Sequence, residues 1–215
     1  MSFTVQKLQN GLVKYGAAGL VRQFFRHKSP VYTSYVFQKS GASLINNLHN
    51  LSGFTVEVYP DYISIPSNYL YDLLVKSSGQ MDFSSEMVRR FSKKCELWLG
   101  YVDGNVAGIC WSKSRARRYD YFIPLAEDES VITSCFVFPE NRGKGIFPCM
   151  LESICRNLSI DKNIRNVYID CKSWNYQSVR GIEKAGFTFI GKSIRLIIRG
   201  RIFILRNCCK KIANI

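Results

Sequence analysis

Taken by its alternation of apolar and polar positions, the chain divides into short strands and short helices. The clearest signal is "CELWLGYVDGNVAGICWSK" (95–113), where two apolar runs flank Asp103-Gly104 and predict a hairpin with a primed turn. "FTVEVY" (54–59) predicts a strand, "SNYLYDLLVKS" (67–77) a helix capped by Ser67, and "SSEMVRRFSKK" (84–94) a second helix. "DESVITSCFVF" (128–138) reads as a strand; "FPCMLESICRNL" is helical, with Pro148 tolerated in the first turn. "NVYIDC" (166–171) is a strand, "NYQSVRGIEKA" (175–185) a helix ended by Gly186, and "FTFIGK" and "RLIIRGRIFIL" a closing pair of strands. Upstream, "VQKLQNGLVKYGAAGLVRQFFRH" spaces Leu8, Leu12, Val13, Leu20, Val21, Phe24 and Phe25 at helical intervals, and "VYTSYVFQK" is rich in β-formers. The predicted order is an N-terminal addition followed by β-α-α-β-β-β-α-β-α-β-β.

Charge changes this picture at the two ends. Residues 1–40 carry six cations and residues 189–215 carry seven, with no acid in either segment, so the net charge of +14 leaves the middle nearly neutral. We therefore place a basic amphipathic extension at 1–40 and one domain at 41–215. Such ends suit a polyanion: an anionic membrane face, a phosphorylated substrate or nucleic acid. Nucleic acid is disfavoured because no known binding motif accompanies the cations. The eight cysteines are mostly isolated in apolar stretches and lack a CxxC pair, and there are two histidines. That excludes a zinc framework and predicts no metal; it points to a reducing compartment. No apolar run is long enough for a membrane span, so the expected location is cytoplasmic, peripheral to the inner membrane face at most.

The chemistry concentrates in "FPENRGKGIFPCM" (138–150), where two glycines and two cations sit between a strand and a helix. Glycines let backbone N–H groups approach an anion, and the helix N-terminus adds partial positive charge. The phosphate loop of nucleotide-binding proteins needs Ser or Thr after the Lys, but Lys144 precedes Gly145. A dinucleotide fingerprint fails at Pro148. What remains, "FVFPENRGKGI" (136–146) together with "WNYQSVRGIEKAGFTFIG" (174–191), resembles the GNAT superfamily of acyl-CoA-dependent N-acetyltransferases. The resemblance is strongest over 128–191.

That likeness implies an α/β (α+β) fold with a mixed, mostly antiparallel sheet flanked by helices, and acetyl-CoA as co-substrate. The strand before the loop would splay from its neighbour, so that the backbone of Cys135, Phe136 and Val137 pairs with the pantetheine amides. The N–H groups of Arg142, Gly143, Lys144, Gly145, Ile146 and Phe147 would cradle the pyrophosphate, with Asn175 and Ser178 at the CoA arm. Two departures stand out: Phe147 replaces a usual small residue, and Ile182 stands where a Tyr often serves as general acid.

The expected reaction is direct acetyl transfer to a primary amine, with a strand N–H at Phe136 or Val137 receiving the oxyanion. Asp170 is the first candidate base and Glu129 the second, with Tyr176 as a donor to the departing thiolate. Cys171 lacks a nearby histidine and reads as structural. The basic ends favour an anionic acceptor. The basic N-terminus followed by Tyr-x-x-Tyr-Val-Phe is similar to bacterial acetyltransferases of surface-polysaccharide synthesis, which implies an amino sugar linked to nucleotide or lipid. A protein or peptide amine, and a catalytically silent acyl-CoA-binding protein, are the alternatives.

Overall fold

The computed structural model describes residues 31–45, 51–69, 83–114, 121–198 and 201–210. Eight strands form one sheet: β1 (Val31–Ser40), β2 (Phe54–Tyr59), β3 (Glu96–Val102), β4 (Asn105–Ser114), β5 (Glu129–Val137), β6 (Asn166–Lys172), β7 (Thr188–Ile198) and β8 (Arg201–Asn207). Their order is β2-β3-β4-β5-β6-β1-β7-β8. Among the described strands only β5 and β6 run parallel; every other neighbouring pair is antiparallel. Among the described residues the α-helices with stated bounds are α1 (Phe83–Ser92), α2 (Ile146–Lys162) and α3 (Tyr176–Lys184). Helix also begins at Ser67.

The hairpin forms where predicted, with Asp103 and Gly104 at φ 48° and 76°, as a primed turn requires. Two expectations need correction. "FTFIGK" and "RLII" are not separate strands but parts of one, β7, which bends at Gly191; there φ is 149° and a Cβ would strike the backbone of Cys208 and Cys209. More consequentially, Val31–Ser40 does not belong to an appendage. It is strand β1, inserted between β6 and β7. Val36 and Phe37 are buried there, Gln38 donates to Asn166 Oδ1 at 3.0 Å, and Lys39 donates to the Ala185 carbonyl at 2.7 Å. Lys39 thus satisfies a carbonyl at the C-terminal end of α3 and complements its dipole. The predicted helix over the apolar positions Leu8 to Phe25 lies outside the described residues.

Side chains alternate across the sheet. One face, with Phe37, Trp98, Ile132 and Ile169, packs against Met150, Ile154 and Leu158 of α2 and Ile182 of α3. Met150 reaches so close to the sheet that a Cβ on Gly100 or Gly108 would meet its sulfur at 2.9 Å. The opposite face carries Leu97, Leu99, Ile109 and Trp111 beside Met87 of α1, and a second cluster of Val36, Val131 and Tyr168 under Tyr121, Phe122 and Ile123.

Candidate active site

Strands β5 and β6 pair from Glu129↔Asn166 to Ile132↔Ile169 and no further. Beyond that point β5 stays with β4 as far as Val137↔Gly108, while β6 stays with β1 as far as Lys172↔Ser34. A wedge therefore opens between them. Its cause is local. Thr133 and Phe136 pair with Trp111 and Ile109, so β5 spends three steps where β4 spends two, and Ser134 takes φ 49°. Such a bulge bends the strand away from its neighbour and increases its twist. Arg90 of α1 pins it, donating to Thr133 Oγ1 at 3.1 Å and to Ser134 Oγ at 2.5 Å. Glu86, one turn earlier, orients that guanidinium through a 2.6 Å bond from Arg90 Nε. The backbone of Cys135, Phe136 and Val137 then forms one lip, its edge toward β6 without a partner strand.

At the open end of the wedge the chain turns into α2. Phe138 N–H bonds the Ala107 carbonyl at 3.0 Å, and a short 3-10 turn carries the chain to Arg142. Gly143 and Gly145 both adopt φ 79°, and a Cβ on either would meet nothing within 4 Å. The glycines are therefore required by conformation, and the space above them is open. Gly145 is the N-cap of α2 and offers no side-chain cap, so the first N–H groups of the helix, Ile146 and Phe147 among them, lack intrahelical acceptors. Successive N–H groups in such a turn make a concave anion nest, strengthened by the helix dipole. Lys144 is exposed beside it. Arg142 is engaged elsewhere: its Nε donates to the Val137 carbonyl at 3.0 Å and its guanidinium lies over the Phe136 ring, tying loop to lip.

Phe147 turns away from the nest. A Cβ on Gly181 of α3 would lie 2.4 Å from its Cδ1, so the ring occupies space that a larger residue at 181 would fill. The size increase at 147 is accommodated by a glycine on the facing helix. Asn175 caps α3, its Oδ1 accepting the Ser178 N–H at 3.3 Å. The side-chain oxygen of Asn175 and the backbone of Ser178 are thus committed to the cap, at the end of α3 that faces the wedge. Tyr176 is 65% exposed at the first turn.

The two candidate bases part company. Asp170 follows the last paired residue of β6 and lies at the mouth of the wedge. Its Oδ2 is ion-paired with Arg195 and its Oδ1 accepts the Tyr121 hydroxyl at 3.0 Å. Glu129 sits at the closed end, about 16 Å along β5 from the bulge at the usual strand rise. Buried, it accepts the Tyr168 hydroxyl and the Ala126 N–H, each at 2.8 Å. The structure does not bring Glu129 to the mouth. Burial, aided by the Asp170 charge, holds the Tyr121 phenol well above its ordinary value, so Tyr121 is a donor to Asp170. Burial first, then the nearby carboxylates Asp170 and Glu183, push the Cys171 thiol up to about 12, unsuited to a nucleophile. Ile182 is 1% exposed in the core, so its position offers packing and no proton.

Arg90, Tyr121 and Arg195 escaped the sequence reading. Arg90 left one trace, the Glu86-to-Arg90 spacing on one helix face. Arg195 was counted as part of the basic C-terminal segment. It is instead buried, stacked over Phe122 with its guanidinium carbon 4.2 Å from the ring centre, and bonded to Ser34 and Asp170. Lys172, the next residue of β6 on the same face, lies over the rings of Tyr32 and Trp174.

No protein-family model matches the chain, and no curated protein does. Solved structures do. An acetyltransferase from the GNAT family from Colwellia psychrerythraea superposes with a TM-score of 0.54 at 14% identity, over 83% of this chain and 61% of its own length. A GNAT-family acetyltransferase structure from Novosphingobium aromaticivorans gives 0.51 at 13% identity, over 76% and 62%. A conserved protein of unknown function from Staphylococcus epidermidis gives 0.53 at 14%, over 81% and 65%. The chain thus spans less than two thirds of the length of these structures. By superposition, the chain has the fold of the GNAT acetyltransferases.

Proposed function

We propose that the protein transfers an acetyl group from acetyl-CoA to a primary amine. The observation that carries this reading is the juxtaposition of the wedge with the Gly143–Gly145 nest. An extended amide-bearing arm could lie along the lip of Cys135, Phe136 and Val137 while its pyrophosphate rests on the N–H groups of residues 143–147, beside Lys144. The amine nitrogen would attack the thioester carbon, forming the C–N bond as the C–S bond breaks. A lip N–H at Phe136 or Val137 would hold the oxyanion, and the CoA thiolate would leave, taking a proton from Tyr176 in the first turn of α3. The amine proton would pass to water. Asp170, with both oxygens already engaged, holds Arg195 and Tyr121 in place at the mouth.

We assign the acceptor to anionic amines, an amino sugar linked to a nucleotide or lipid foremost, because Lys172 beside Asp170 and the net charge of +14 favour a negatively charged acceptor. The buried Ile182, which leaves the family's Tyr position without an acid, supports a second reading, a silent acyl-CoA-binding protein.

Calorimetric titration with acetyl-CoA, beside desulfo-CoA and ADP, tests the cofactor. Saturable binding that requires the pyrophosphate and falls roughly tenfold or more in Gly145→Asp is expected, since the substitution places a carboxylate in the nest and a side chain at φ 79°. No binding by the folded protein overturns the reading. Thiol release from acetyl-CoA across a panel of amines separates enzyme from silent binder, and an unchanged rate in Tyr176→Phe removes Tyr176 as the acid.

A further inference from the structure

Among the described residues, α2 packs on β2 to β5 and α3 on β6. Register shows what the β7–β8 end of the sheet presents. Phe37↔Phe189, Tyr35↔Lys192, Val31↔Leu196 and Leu196↔Phe203 place Phe189, Lys192, Leu196 and Phe203 on the α2/α3 face of the sheet; Ile198 shares it by alternation, and Arg206 through its pairing with Ile194 beyond the register shift. Phe189, Ile198 and Phe203 are 46%, 49% and 48% exposed. An apolar sheet face left open to this extent marks an interaction surface. Its charge selects the partner. Besides Arg195, which is buried against Asp170, the segment 189–215 holds six cations and no acid. Lys192 and Arg206 stand on the apolar face itself, Lys192 over the Tyr35 ring.

We propose that this face, the outer end of the sheet formed by β7 and β8, docks on an anionic lipid surface. Phe189, Ile198 and Phe203 would enter the boundary between headgroups and acyl chains, and Lys192 and Arg206 would meet the lipid phosphates. A second copy of the chain is the weaker occupant, because a two-fold contact through this face would set one acid-free segment against another. The same repulsion disfavours the basic N-terminal segment of this chain. No described helix is long and apolar enough to cross a membrane. The inference is independent of acetyl transfer and is read without it.

Co-sedimentation of the full chain with vesicles of phosphatidylcholine alone, and of phosphatidylcholine mixed with phosphatidylglycerol, tests it. Binding should require the anionic lipid and weaken with salt. Ile198→Ser/Phe203→Ser and, separately, Lys192→Glu/Arg206→Glu should each lower partitioning about tenfold or more, with thermal melting showing the fold retained. The surface-charge pair keeps the test decisive where the apolar pair fails to fold. Undiminished vesicle binding in both variants overturns the proposal. So does loss of binding in Phe24→Ser/Phe25→Ser alone, which assigns the contact to the N-terminal segment. A dimer in sedimentation equilibrium that Ile198→Ser/Phe203→Ser dissociates, with no vesicle binding by the wild type, assigns the face to a second copy and overturns it likewise.

Discussion

Asp170 illustrates how a residue's neighbours, more than its type, settle its work. A carboxylate at the mouth of a splayed strand pair is an obvious candidate base, yet its oxygens are taken by Arg195 and Tyr121. Both partners are buried, so removing the negative charge strands a guanidinium in a low-dielectric setting. Breaking such a pair from one side costs roughly 3 kcal/mol, whereas replacing both members with apolar or neutral groups costs far less. We expect Asp170→Asn to be destabilised by about that amount in denaturant melts, and Asp170→Asn/Arg195→Met to recover most of it. A stable Asp170→Asn protein with abolished turnover would instead return Asp170 to the chemistry.

Among elements, two contacts set the shape of the wedge. The first is α1 against the bulge of β5. Burial alone would raise the Glu86 carboxyl, but the hydrogen bonds and charges of Arg89 and Arg90 together bring it below its usual value of 4.5. Because the folded value is the lower one, the pair's contribution is present above the unfolded value and lost as pH falls through the folded one. Glu86→Gln should therefore cost about 0.5–1 kcal/mol near pH 7, a modest figure for a partly exposed pair, and less near pH 3. Urea melts at the two pH values check this. The second contact is Phe147 on Gly181, which joins α2 to α3 and fixes the two helix N-termini that frame the wedge. Gly181→Ala should destabilise by about 1–3 kcal/mol through overpacking. Phe147→Ala in the same chain should restore part of that, and the double-mutant cycle measures the coupling.

For the molecule as a whole, the consequence of β1 lying between β6 and β7 is that the sheet cannot assemble from residues 41–215 alone. A chain beginning at residue 41 would leave the facing edges of β6 and β7 unpaired and Phe37 missing from the core beneath α2 and α3. Such a protein should lose cooperative thermal unfolding, whereas the basic-extension reading of 1–40 expects it to melt normally. Scanning calorimetry of that truncation decides between them.

Local patterns were sufficient for much of this. The Asp103-Gly104 hairpin, the alternation of β2, the glycine turn before α2 and the Asn175 cap are each encoded within a dozen consecutive residues, because turn sterics and helix capping act over that range. Two short stretches, 136–146 and 174–191, were enough to anticipate the fold. Other features depend on which distant segments meet. The placement of β1, the burial of Lys39 and Arg195 inside segments that read as solvated basic tails, the bracing of Ser134 by Arg90, and the seating of Phe147 on Gly181 each join residues 25 or more positions apart in the sequence. Charge and periodicity report a residue's own preference. Whether a cation ends in water, on a helix carbonyl or against a carboxylate is decided only when the sheet closes and brings its partner within hydrogen-bonding distance.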